Sequence, residues 1–132
     1  MAGSKGSKYY NIFLRYNLNL EDVEGNEIFD YEGFSLLIQI DKNRSIVAAA
    51  REMDMSYRKA WGIINKVEER LGFALVIKQR GGSDGGMTWL SEEGRELIDG
   101  YKELTTQFDR SISEITRKFF RKINRKNGRE TS

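Results

Sequence analysis

The sequence predicts an α+β fold, mainly α, on three observations. Apolar residues alternate over 12–20, three short helical patterns follow between 32 and 72, and two strand patterns flank a glycine-rich loop before a long helical pattern over 92–123. At 132 residues the chain fits one domain with an extension.

The elements follow in order. After a Gly/Ser/Lys arm, "NIFLRYNLNL" sets Ile12, Leu14, Tyr16, Leu18 and Leu20 on one face, the period of a half-buried strand. "DVEGNE" reads as a turn and "IFDY" as a short return strand, giving an N-terminal β-hairpin. "EGFSLLIQIDKN" spaces Phe34, Leu37 and Ile38 as a first helix ending near Asn43. Ser45 caps a second helix, with Ile46, Ala49, Ala50 and Met53 inward, and its small residues let another helix approach closely. Asp54 occupies a tight turn where a left-handed residue is needed, which Asp tolerates.

Ser56 caps a third helix whose buried stripe is Ala60, Ile64, Val67 and Leu71, closed by Gly72. At about 100° per residue, Arg58, Gly62 and Asn65 lie opposite that stripe, flanked by Trp61 and Lys66. "FALVIKQR" and "MTWLS" are strands joined through "GGSDGG". Ser91 caps the last helix, whose first turn carries Glu92 and Glu93 as the macrodipole favours. Leu97, Tyr101, Leu104, Phe108, Ile112, Ile115, Phe119 and Ile123 form one stripe along it, with a period nearer 11 than 7 residues. The helix would reach about 48 Å, longer than so small a domain can cover, so part of the stripe is expected to meet another chain.

Composition excludes much. Without cysteine there are no disulfides or thiolate sites, and without histidine the usual general base and transition-metal ligand are missing. No metal or other cofactor is expected. The carboxylate pairs Glu68–Glu69 and Glu92–Glu93 are adjacent on helices and point in different directions, so an enzyme is the weakest reading. No apolar run approaches the roughly 20 residues of a membrane span, so no membrane partner and a cytoplasmic location are expected. The net charge is only +2, yet Ser56–Lys66 holds Arg58, Lys59 and Lys66 with no acid, and 117–132 holds seven bases against Glu130. Acids gather in 21–32. Basic patches on a near-neutral chain suggest an anionic partner, nucleic acid first.

Three short helices followed by strand, loop and strand is the order of a winged helix-turn-helix, whose third helix enters the DNA major groove. Double-stranded DNA is then the expected partner. Arg58 and Lys59 reach phosphate or guanine, Asn65 pairs with adenine, and Gly62 permits close approach. Ser45, Ser56 and Lys66 join the expected contacts. Lys78 and Arg80, with the backbone of Gly81, Gly82 and Ser83, place the wing on phosphates. Tyr57 has its ring near the core side while its hydroxyl could reach phosphate. Trp61 packs either on the wing or on DNA, and the residues alone leave both open. "GGSDGG" lacks the Lys and Ser/Thr of a P-loop.

"SIVAAAREMDMSYRKAWGIINKVEERLG" followed by "LVIKQRGGSDGGMTWLSEEGREL" resembles the DNA-binding domain of the molybdate-responsive ModE transcriptional regulators, and more distantly the LysR-type regulators. The similarity covers roughly 31–105. It implies a homodimer on an operator palindrome, with recognition positions at Ser56, Tyr57, Arg58, Lys59 and Trp61 and the wing at Arg80 through Gly86. Asp54 departs from the glycine usual in the family. Full-length ModE regulators carry a molybdate-binding domain after this one. The stretch from Ile123 to Ser132 is too short and polar to build it, so molybdate binding is not expected of this chain alone.

The expected organisation is a flexible arm over 1–9, a winged helix-turn-helix with N-terminal strands over 10–91, a long dimerisation helix over 92–123, and a basic tail over 124–132. The expected dimer interface is Leu97, Tyr101, Leu104, Phe108, Ile112, Ile115 and Phe119. The tail reads as a solvating extension or an addition to nonspecific DNA affinity. The competing function is a dimeric winged-helix scaffold that binds protein rather than specific DNA.

Overall fold

The computed structural model describes residues 6, 8–79 and 86–125. In chain order these form β1 (Leu20–Glu21), β2 (Glu27–Phe29), α1 (Tyr31–Asn43), α2 (Ile46–Glu52), α3 (Tyr57–Leu71), β3 (Val76–Gln79), β4 (Met87–Leu90) and α4 (Glu92–Arg125). The fold is mainly helical, with the N-terminal hairpin, the helix-turn-helix, the wing strands and the long helix in the expected order. None of the helices is long and apolar enough to cross a membrane.

Each helix begins on a side-chain oxygen. Asp30, Ser45, Ser56 and Ser91 accept from the backbone N–H three residues on, at Gly33, Ala48, Lys59 and Gly94, at distances of 2.9 to 3.0 Å. Each bond satisfies one of the donors that a helix start leaves unpaired. Asp30 is the cap that the sequence reading passed over. The turns are as specific as the starts. Arg44 at φ 56°, Asp54 at φ 54° and Gly72 at φ 85° are left-handed. Asp54 is therefore the αL residue expected of the tight turn between α2 and α3.

Two compact units divide the chain. The larger, Asn17–Lys102, holds the helix-turn-helix and the first turns of α4. Its core joins Leu36, Leu37 and Ile40 of α1, Ala49 and Ala50 of α2, Ala60, Ile64 and Val67 of α3, and Leu75, Val76 and Leu90 of the wing. Alanine at 49, 50 and 60 leaves little more than backbone between the helices, so α2 and α3 pack closely. Antiparallel β3 and β4 pair Val76 with Leu90, Ile77 with Trp89, Lys78 with Thr88 and Gln79 with Met87. Alternation turns Val76, Lys78, Thr88 and Leu90 toward the helices, and all of these but Lys78 are buried.

Tyr101 belongs to this core, which corrects its expected place in a dimer interface. It is 3% exposed, edge-on to Phe29 at 5.2 Å and 4.7 Å from the Phe34 ring. Its hydroxyl donates to the Leu18 carbonyl at 2.7 Å, and burial raises its phenol above the ordinary value. Leu97 packs half-buried against the same core. Both residues continue the α4 stripe, but their own chain covers them.

The smaller unit combines residues up to Tyr16 with α4 from Glu103 onward. Here the expected strand over 12–20 is corrected. Phe13 makes an isolated bridge and Leu20–Glu21 pairs with β2 across an irregular register, with no continuous strand between them. Ile12, Phe13 and Leu14 are all more than 40% exposed. Alternation supplies a strand's faces, whereas a strand also needs a ladder partner, and 14–19 has none among the described residues. Instead, Tyr9 packs its ring 6.1 Å from Phe120, and the Tyr16 hydroxyl donates to the Asp109 carboxylate. That bond pushes the Tyr16 phenol up to about 12. Tyr9, assigned to a flexible arm from sequence, is thus packed, while residues 1–5 and 7 lie outside the described ones.

Two contacts fasten the wing to its neighbours. The Glu68 carboxylate accepts from the backbone N–H of Leu75 at 2.7 Å and of Val76 at 3.2 Å. On the other side, Ser91 donates its N–H to the Leu75 carbonyl at 2.8 Å and its hydroxyl to the Ala74 carbonyl at 2.7 Å. Gly94 in the first turn of α4 lies so near that a Cβ there would stand 2.2 Å from the Leu75 carbonyl oxygen. Since that neighbour is backbone, Gly94→Ala is expected to destabilise the fold by about 2–4 kcal/mol, as an overpacked core does. Denaturant unfolding followed by circular dichroism measures it, and an unchanged midpoint would refute the close approach. Glu68→Ala strands two N–H groups beside the buried Leu75 and is expected to cost about 1–3 kcal/mol by the same assay. Faster amide exchange confined to Leu75 and Val76 would locate the loss.

Candidate nucleic-acid interface

α3 presents four faces, each with different surroundings. The buried ridge is Ala60, Ile64 and Val67. On the flank toward the wing stand Tyr57, Trp61 and Glu68, and on the other flank Lys59 and Lys66, by the 100° step of the helix. The outermost ridge is Arg58, Gly62 and Asn65, all exposed. A Cβ on Gly62 would meet nothing within 4 Å, so the middle of this ridge is open space.

The basic side chains named from sequence do not share one environment. Lys59 forms an ion pair with Glu32 of α1 at 3.3 Å, with both side chains about half exposed. Lys66 lies close enough to Glu27 to act on its charge. These two lysines therefore face the acids of 21–32, a pairing that composition by segment concealed. Arg58 has no ion-pair partner among the described residues and projects from the outer ridge. An exposed pair such as Lys59–Glu32 is worth about 0–1 kcal/mol, so Lys59 can exchange Glu32 for another anion at little cost.

On the wing-side flank Trp61 packs against its own fold. Its indole is half-buried against the core, and the Lys78 ammonium stands 4.6 Å from the ring centroid. Its Nε1–H donates to the Tyr57 hydroxyl at 2.5 Å. The strand register explains the first contact, because Lys78 is on the sheet face turned toward the helices. Tyr57 itself is 44% exposed and borders an open depression with Val47, Arg51 and Ser56 at the α2–α3 turn. Ser45 and Ser56 each accept one backbone N–H as caps, which leaves their hydroxyl protons to donate elsewhere. Arg80, Gly81, Gly82 and Ser83 lie outside the described residues.

The chemistry available is that of binding. Among the described residues no group of three or more Asp, Glu, His or Cys side chains is placed to hold a metal ion. Sequence reasoning missed Glu68, whose signal was only a half-buried acid on a helix, and Glu32, whose partner is nearly thirty residues away.

On the exposed face of α4, Phe108, Ile115 and Phe119 are 43%, 56% and 52% exposed, with Leu104 and Ile112 partly covered. The five fall within about 40° of one line along the helix. A second line, Asp109, Ser113, Thr116 and Phe120, is about a third of a turn away. Thr116 and Phe120 on that line are buried within the smaller unit.

Comparison with known proteins agrees with this geometry. Residues 32–95 match the family model described as the bacterial regulatory helix-turn-helix protein, lysR family. The molybdenum transport protein ModE of Azotobacter vinelandii is 30% identical over 81 residues, covering 61% of this chain and 30% of that protein. The molybdenum-pterin-binding protein MopB of Rhodobacter capsulatus is 33% identical over 89 residues, covering 62% of this chain and 33% of that protein. The DNA-binding transcriptional dual regulator ModE of Escherichia coli K12 is 31% identical over 86 residues, or 65% and 32% of the two chains. This chain thus spans about a third of the length of these relatives. Among solved structures, the BenM DBD in its catB site 1 DNA complex superposes with a TM-score of 0.51 at 20% identity, over 65% of this chain and 90% of that one. That likeness shows the fold. Residues 32–95 form a helix-turn-helix domain similar to those of the LysR-type and ModE regulators.

Proposed function

We propose that this chain is a sequence-specific, double-stranded-DNA-binding transcriptional regulator that acts as a homodimer and has no catalytic activity of its own. The outer ridge of α3 carries the reading. Arg58, Gly62 and Asn65 form an exposed, acid-free first half of a helix held at both ends by caps. A guanidinium and a carboxamide separated by a side-chain-free position suit base edges in a major groove, Arg to guanine and Asn to adenine. Lys59, Lys66 and Lys78 stand around this ridge and supply the phosphate attraction. The names of the similar proteins, a DNA-binding regulator and a domain complexed with DNA, support the same partner.

Homodimerisation rests on the exposed line of α4. Leu104, Phe108, Ile112, Ile115 and Phe119 are apolar at helical spacing, and self-association would remove them from water. A two-fold dimer would also explain a palindromic operator. The domain plan that follows is a helix-turn-helix unit with its wing, and a distal α4 for pairing.

Binding to duplex DNA is expected to fall steeply with salt, since each dimer would neutralise several phosphates. Arg58→Ala is expected to cost about 1–3 kcal/mol on the selected operator and to flatten the difference between operator and random DNA. Selection of bound genomic fragments followed by titration at several salt concentrations measures both. Absence of any binding would leave the scaffold reading. Phe108→Asp is expected to give monomers in light scattering where the unmodified protein is a dimer, because the variant would bury an unpaired charge. A monomeric unmodified protein would overturn the dimer.

A further inference from the structure

We propose that Trp61 is a positioning residue that turns the Tyr57 hydroxyl into a one-way donor to a DNA phosphate and holds the wing lysine beside it. The inference rests on the DNA-binding reading above and names a contact within it.

An indole N–H only donates, whereas a phenol hydroxyl both donates and accepts. With Trp61 Nε1–H directed at the Tyr57 oxygen, the accepting side of that oxygen is engaged. The hydroxyl proton must then point away from the indole. Tyr57 begins α3 and is 44% exposed, so that proton is offered outward at the first turn of the recognition helix. A phosphate oxygen accepts only, and it matches such a donor. A base-edge amino group, itself a donor, does not, and the base-edge acceptors, such as guanine O6 and N7, are told from phosphate by whether the loss is confined to the operator.

The same indole fixes the cation next to it. Lys78 stands over the Trp61 face at 4.6 Å, in the range of a cation–π contact, and its strand neighbour Val76 is bonded to Glu68 of α3. The wing is therefore tied to one flank of α3 at two heights, by Trp61–Lys78 and by Glu68–Leu75/Val76. Tyr57 and Lys78 then form one donor pair, neutral and cationic, whose spacing is set by the Trp61 ring between them. Both address backbone, so the pair adds affinity without sequence preference.

The test compares Tyr57→Phe, Trp61→Phe and the double variant in the full chain, titrated with duplex DNA. Trp61→Phe keeps a ring under Lys78 but removes the donor, and Tyr57→Phe removes the acceptor and the proposed phosphate contact. Each is expected to weaken operator and random DNA equally, by about three- to tenfold, as loss of one hydrogen bond does. The double variant should lose no more than the Tyr57→Phe variant, because both changes remove the same contact. In the free protein, Tyr57→Phe should shift the Trp61 indole N–H resonance and leave that of Trp89 in place. Additive losses, a loss confined to the operator, or an unmoved Trp61 resonance would overturn the proposal while DNA binding stands. A parent protein that binds no DNA would overturn both. Helix content by circular dichroism confirms that each variant is folded.

Discussion

Leu75 is where α3, the wing and α4 are fastened to one another. Its N–H goes to Glu68 of α3, its carbonyl takes the N–H of Ser91, and its side chain is fully buried. Gly94 presses against that same carbonyl, at a distance only a residue without Cβ allows. Every backbone group of one residue is thus committed to a different element. The buried N–H and C=O would each cost about 1–3 kcal/mol if left unpaired, so the three elements cannot drift apart singly. β3 begins at the next residue, and its register then decides that Lys78 faces Trp61.

A fixed wing matters because the exposed ridge of α3 is short. Arg58 and Asn65 are two turns apart, and on the proposed function such a helix would gain discrimination only if its angle to the groove were set by the surrounding contacts. The flank contacts set that angle without adding charge to the ridge. Lys59 and Lys66 are balanced against Glu32 and Glu27 on one side, and Lys78 is held over an aromatic face on the other. The weak, exposed Lys59–Glu32 pair orients a lysine while leaving it exchangeable. Local charge, rather than the net +2, therefore governs how the surface meets an anion.

Most of the fold was legible because its signals are local. Ser45, Ser56 and Ser91 announce helix starts, Gly72 an end, and the apolar spacing of Ala60, Ile64 and Val67 a buried face. Asp54 could be read as left-handed from the gap between two helical patterns. What escaped is non-local. Periodicity puts Tyr101 in line with Phe108, yet cannot tell that the Phe29 and Phe34 rings close over one and not the other. Alternation over 12–20 gives a face but no ladder partner. Glu32, Glu68 and Gly94 matter through residues distant in sequence or brought near by a turn, and no spacing rule marks them. In the candidate site, Arg58, Gly62 and Asn65 followed from the helix period alone, whereas the pairing of Lys59 and the bond from Trp61 to Tyr57 needed coordinates.

The distal half of α4 shows how one helix can carry two uses. Its residues near Phe108, Ile115 and Phe119 are large, apolar and exposed, whereas the neighbouring line of Asp109, Ser113, Thr116 and Phe120 is mostly small or polar. The N-terminal segment covers the second line. Tyr9 reaches Phe120 and Tyr16 reaches Asp109, so its course is marked at both ends by a specific side chain. Thr116 between them is fully buried, and its hydroxyl has no hydrogen-bond partner among the described residues. An apolar residue there would avoid the desolvation cost of about 1–3 kcal/mol. Among the described residues Phe108, Ile115 and Phe119 stay exposed, which is the condition a dimer through them requires.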